Sequence, residues 1–113
     1  MSYLDAKAQC ESDGMYLAIP RSDDENAFIA SLIPNDNIWI GVNDINEEGK
    51  FASVDGQDVT YTKWLNGEPN DLGNEDGSII VGGLNGMWAD KGINYEEKFV
   101  CMSNIIFDYS GKF

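Results

Sequence analysis

The chain reads as an α+β fold, and three observations predict it. Two helix-start signatures lie near the N-terminal end, Ser2 with Asp5 and Ser22 with Glu25. In such a box the serine and the acid satisfy backbone donors that the first helical turn leaves unpaired. Beyond Pro34 the chain turns to short apolar runs punctuated by Gly and Asn, as strands bounded by turns are. Helices first and strands later point to α+β rather than to alternating α/β. At 113 residues and 42% hydrophobic content, residues 1–113 are expected to form a single domain with a real core.

The first helix is expected over residues 3–13, because Gly14 is a natural stop. The second is expected over about 23–33, ended by Pro34, with Ala27, Phe28, Leu32 and Ile33 as its buried face. Strands follow at 39–42, 51–54, 78–81, 87–88 and 99–102, with a strand end at Trp64. Trp39, Trp64 and Trp88 are read as core, and Met15, Met87 and Met102 as packing residues. From about residue 66 to 95 there are many Gly and Asn residues and little periodicity. A long loop of that kind in a compact domain is usually functional.

Composition excludes several functions. Twenty acids against seven bases give a formal charge of −13, which repels phosphate backbones and anionic lipid, so no nucleic acid is expected as partner. No apolar run approaches the roughly 20 residues that span a bilayer, so no membrane insertion is expected. The chain contains no His, which removes Ser-His-acid and Cys-His catalysis and imidazole-rich zinc sites. Gly82-Gly83 lacks a following Lys and Ser/Thr, so no phosphate cradle is read there. The first seven residues lack the basic and apolar segments of a secretory signal, leaving a removed signal or an added Met1 as alternatives. Cys10 and Cys101 could be two buried thiols or one disulfide closing a loop of about 90 residues.

The chemistry concentrates in residues 68–76, where Glu68, Asn70, Asp71, Glu75 and Asp76 crowd a segment broken by Pro69 and Gly73. Hard cations with flexible coordination take six to eight oxygens from carboxylates, amides and backbone carbonyls. A bent acidic loop supplies these, and a bound divalent ion would relieve its repulsion. Asp44 and Glu48, four apart, could be an ordinary turn pair, but beside this segment they read as further ligands. Asp55, Asp58 and the acids at 23–25 are read instead as solvated surface and helix-start charges.

In order and spacing these landmarks resemble a C-type lectin-like domain, closest to the collectins. The resemblance rests on Ser2 to Ala6 ahead of Cys10, Trp39-Ile40-Gly41, Asp44 with Glu48-Gly49, and Trp64. It continues through Glu68-Pro69-Asn70, Glu75-Asp76, Trp88-Ala89-Asp90 and Phe99-Val100-Cys101. It implies a fold of two helices, short antiparallel sheets and a long calcium-binding loop, a Cys10–Cys101 disulfide, and a secreted or extracellular setting. It also implies a principal Ca2+ site of Glu68, Asn70, Glu75 and Asp90, which are the sugar-binding residues as well. An accessory Ca2+ site would use Asp44, Glu48, Asp71, Glu75 and Asp76. Glu68-Pro69-Asn70, with a cis Pro peptide, is the form associated with mannose-type sugars. The partners implied are glycans with equatorial vicinal hydroxyls, with a homo-oligomer for avidity.

Three departures stand out. Ala89 occupies a position where the family has Asn, removing one metal oxygen and one donor. Gly77 and Gly92 stand where the inner disulfide's cysteines are expected. The opening strand is absent, while residues 104–113 run past the usual end. Read in a circle, residues 106–113 followed by 1–6 resemble that strand, so a circular permutation is expected in which 104–113 supply it; a frayed tail or truncation is the alternative. The leading reading is a calcium-dependent lectin for mannose, fucose or glucose units. Its rival is a protein-interaction domain with structural calcium and weak or lost sugar binding. No catalysis is expected: the carboxylates would allow a glycosidase pair, but nothing suggests a proton-donating acid beside an ionised partner.

Overall fold

Helix α1 (Tyr3–Ser12) starts at the N-cap Ser2, whose extended backbone fits the role but whose side chain makes no capping bond. The expected box with Asp5 therefore does not close. The helix start is tied from outside, where Tyr3 N donates to Ile93 O at 2.9 Å. The computed structural model describes residues 1–69 and 76–103, so the expected displaced strand at 104–113 lies outside the described residues. In α2 (Asp23–Leu32) the cap does close: Glu25 N donates to Ser22 Oγ at 3.1 Å, and Arg21 N to Glu25 Oε1 at 3.2 Å.

Of the four residues expected on the buried face of α2, only Ile33 packs against the core. Asn26 and Ile29 are each 1% exposed, and Ala30 and Ile33 pack partly buried. Phe28 is 47% and Leu32 50% exposed, and Ala27 is exposed too. The core stripe is thus 26, 29, 30, 33, which keeps helical spacing. An apolar-only reading favoured the bulkier Phe28 and Leu32 over Ile29 and Ala30 and passed over Asn26, an amide tolerated inside when its polar atoms are bonded.

The strands are β1 (Tyr16–Leu17), β2 (Ile38–Ile40), β3 (Val42–Asn43), β4 (Ala52–Ser53), β5 (Gly77–Ile80), β6 (Trp88–Lys91), β7 (Lys98–Phe99) and β8 (Cys101–Met102). A central four-stranded sheet runs β6-β5-β2-β7, antiparallel except that β7 lies parallel to β2. Two small antiparallel pairs flank it, β1 with β8 and β3 with β4. The run expected at 39–42 is split at Gly41, where any Cβ would come within 2.5 Å of Leu17 O and 2.8 Å of Ile19 and Val54. Only glycine permits that approach. Trp64 makes a single bridge to Trp88 rather than ending a strand.

Two apolar clusters line the sheet. One gathers Ile29, Ile38, Ile40, Val42, Ile80, Trp88 and Met102; the other gathers Tyr3, Ala6, Cys10, Leu17, Trp39 and Ile79. Trp39 and Trp88 are fully buried, and Trp64 packs partly buried against the first cluster. Cys10 and Cys101 are joined in a disulfide across 91 positions, fastening α1 to β8.

Candidate carboxylate site

Two groups of predicted ligands assemble at one end of the β5–β6 hairpin. The first comes from the turn after β3 and the residue before β5. Asn43 accepts from Ile45 N at 3.1 Å, an Asx turn that bends the chain at Asp44. Asp44 N donates to Asp76 O at 3.1 Å, and Asp44 Oδ2 accepts from Gly49 N at 2.9 Å. Carboxylate oxygens of Asp44, Glu48 and Asp76 all lie within 4.8 Å of one another.

The second group joins Glu68 and Asp90. Leu65 N donates to Trp88 O at 2.8 Å, and Trp88 N to Lys63 O at 2.7 Å, laying the 63–68 segment along β6. Asp90 N then donates to Glu68 Oε1 at 3.4 Å, across 22 positions. The Glu68–Pro69 peptide is cis. Asp90 is 4% exposed and shares its register with Ser78, whose hydroxyl donates to Val42 O. Asn70, Asp71 and Glu75 lie outside the described residues.

Whether these groups suit calcium is tested by Asp44. The residue is 2% exposed, and its Oδ1 is buried with no hydrogen-bond partner among the described residues. Burying an anionic oxygen without compensation costs several kcal/mol, and a divalent cation is one compensation. The donors are all carboxylate oxygens, which suits a hard cation. The residues present fit.

The two glycines expected at cysteine positions are crowded by side chains. A Cβ on Gly77 would meet the rings of Trp39 and Tyr3, each at 3.0 Å, and one on Gly92 would meet Tyr95 at 3.1 Å. Ile93 packs against the cluster that holds Tyr3 and Trp39. Ala89 pairs with Ile79 in register and packs on that same cluster.

Sequence reasoning missed Tyr3, Asn43 and Asn26. Tyr3 OH donates to Ile40 O at 2.9 Å and accepts from Asn43 Nδ2 at 3.2 Å, bracing the turn before Asp44. Burial pushes the Tyr3 hydroxyl's pKa well above the usual tyrosine value. The available signal was Asn43 directly before Asp44, a common turn-setting arrangement. A cavity of about 410 Å³ between α2 and the β5–β6 turn, lined by Ala30, Ile33, Ile80 and Val81, holds none of the predicted site residues.

Residues 1–103 match the family model for the lectin C-type domain, and the chain belongs to that family. It is 36% identical over 105 residues to Lectin BRA-3 of Megabalanus rosa, covering 90% of this chain and 65% of that protein. It is 38% identical over 104 residues to a hepatic lectin of Gallus gallus, covering 89% and 49%. The chain thus spans less than two thirds of either relative's length. The solved structure of the C-type lectin CEL-I from Cucumaria echinata shares the fold at TM-score 0.85 and 27% identity, over 89% of this chain and 81% of that one. A calcium-independent type II antifreeze protein shares it at 0.82 and 26%, over 89% and 77%. The family and these lectin relatives bind carbohydrate and are not enzymes. Among the described residues, no helix is long and apolar enough to cross a membrane.

Proposed function

We propose that the chain is a calcium-dependent, extracellular lectin domain for glycans with equatorial vicinal hydroxyls, such as mannose, fucose or glucose units. The observation that carries the reading is the meeting of Glu68 with Asp90, half of the sugar-binding set, at a rim of hydrogen-bonded backbone. Glu68, Asn70, Glu75 and Asp90 would hold the principal ion, and Asp44, Glu48, Asp71, Glu75 and Asp76 the accessory one. When bound, calcium would neutralise these carboxylates and offer open coordination to two neighbouring hydroxyls. Carboxylates of Glu68, Glu75 and Asp90 accept hydroxyl protons, while the Asn70 amide donates, so the diol is read in one orientation. Affinity per site is about millimolar, or roughly −4 kcal/mol, and useful binding comes from several copies acting together.

A second reading has its own support. The Ala89 side chain supplies neither a metal oxygen nor an amide donor, and a protein of the same fold is calcium-independent by name. On that reading calcium is structural and the partner is a protein. Calorimetric titration with calcium, then with mannose in calcium and in chelator, separates the two. Heat from mannose only in calcium supports the lectin; saturable calcium heat with no sugar response retires it in favour of the second.

A further inference from the structure

We propose that Asn26, a buried amide of α2 outside the predicted ligand set, is a positioning residue for the Glu68–Asp90 pair. The inference rests on the lectin reading for its purpose, but its geometry stands alone. Asn26 is 1% exposed and is the first member of the core stripe of α2. Its Nδ2 donates to Gly86 O at 2.9 Å, and its Oδ1 accepts from the Trp88 indole Nε1 at 2.8 Å. An indole nitrogen only donates, which fixes the orientation of the amide. Gly86 has φ 79°, and any Cβ there would lie 2.6 Å from Asn26 Nδ2, so the turn is closed down onto this amide.

Trp88 is where that anchor reaches the site. Its ring is fully buried and packs edge-on against Trp64 at 5.4 Å and Tyr61 at 5.9 Å. Its backbone exchanges bonds with Lys63 and Leu65, which start the segment leading to Glu68. Two residues along β6, Asp90 N meets Glu68 Oε1. Asn26 therefore holds the ring whose strand carries Asp90 and whose backbone carries the approach to Glu68. Loss of the amide would leave the Trp88 donor unpaired in the core and free β6 to shift against that segment.

The test compares Asn26→Leu with Leu17→Ala, a core change in the other apolar cluster, both read well below their melting temperatures. Amide hydrogen exchange at Leu65 and Asp90, without metal, is expected to rise about tenfold in Asn26→Leu and to change little in Leu17→Ala. Calcium affinity is expected to fall about tenfold in the first variant only, the low end for loss of an indirect support of a metal site. If Leu65 and Asp90 exchange alike in the two variants, the proposal is overturned. If wild type binds no calcium, the lectin reading fails, and the exchange comparison still decides the positioning role. Should Asn26→Leu not fold, Trp88→Phe removes the other end of the same bond and is read against the same criteria.

Discussion

Ala89 carries the sharpest question at the residue scale. An unmade hydrogen bond to a ligand costs about 1–3 kcal/mol, roughly 10- to 100-fold in affinity. Ala89→Asn is therefore expected to tighten mannose binding about tenfold or more in a calorimetric titration, and an unchanged affinity would favour the protein-partner reading. The candidate ligands stood out in the sequence because carboxylates, Pro and Gly crowd a short segment, and the structure brings Asp44, Glu48 and Asp76 together and sets Glu68 against Asp90. Asn26 and Tyr3 were not legible, since a buried amide and a helix-start aromatic become informative only when their partners are known. A pH effect also belongs here. Burial and the hydrogen bond to Asp23 push Tyr61 up to about 12 from 10.0. A raised folded value favours the protonated form, so this stability is full below pH 10 and is lost as pH rises toward 12. The melting temperature is expected to fall between pH 10 and 12, and to fall less in Tyr61→Phe.

Among the elements, the helix pair and most strands could be placed from caps, glycines and apolar runs. What failed was which way α2 faces, because Phe28 and Leu32 outrank Asn26 on any hydrophobic scale while the structure buries the amide. The two-residue strand β1 was also missed, being too short to show alternation and held by its pairing with β8. Strand β5 yields a prediction. Gly77 sits under the edge-on pair of Tyr3 and Trp39, whose centroids are 5.1 Å apart. Even one methyl group overpacks that space, so Gly77→Ala is expected to destabilise the domain by about 1–3 kcal/mol in denaturant titration. An unchanged midpoint would mean the rings yield easily. At the two positions where the resemblance implies an inner crosslink, this chain has Gly77 under the Tyr3 and Trp39 rings and Gly92 beside the exposed Tyr95, whose ring centroid lies 5.0 Å from Lys91 Nζ.

Over the whole molecule, a core split between two clusters is closed by one long covalent loop. Loop entropy gives the Cys10–Cys101 disulfide about 4–5 kcal/mol, so replacing both cysteines by Ala is expected to cost a large part of the domain's stability in a chemical melt. A loss under about 1 kcal/mol would mean the reduced chain keeps its ends together by packing alone. The acidic character has the same global reach, since 20 acids share a 113-residue chain with seven bases and several converge on one end of a hairpin. Melting with and without calcium tests that convergence most directly. Wild type is expected to gain several degrees in saturating calcium, about 2.7 kcal/mol at a hundredfold excess over the dissociation constant. Asp44→Asn, freed of a buried anionic oxygen, is expected to melt higher than wild type in chelator and to respond less to the ion. An identical wild-type melting temperature in chelator and in millimolar calcium would contradict the account.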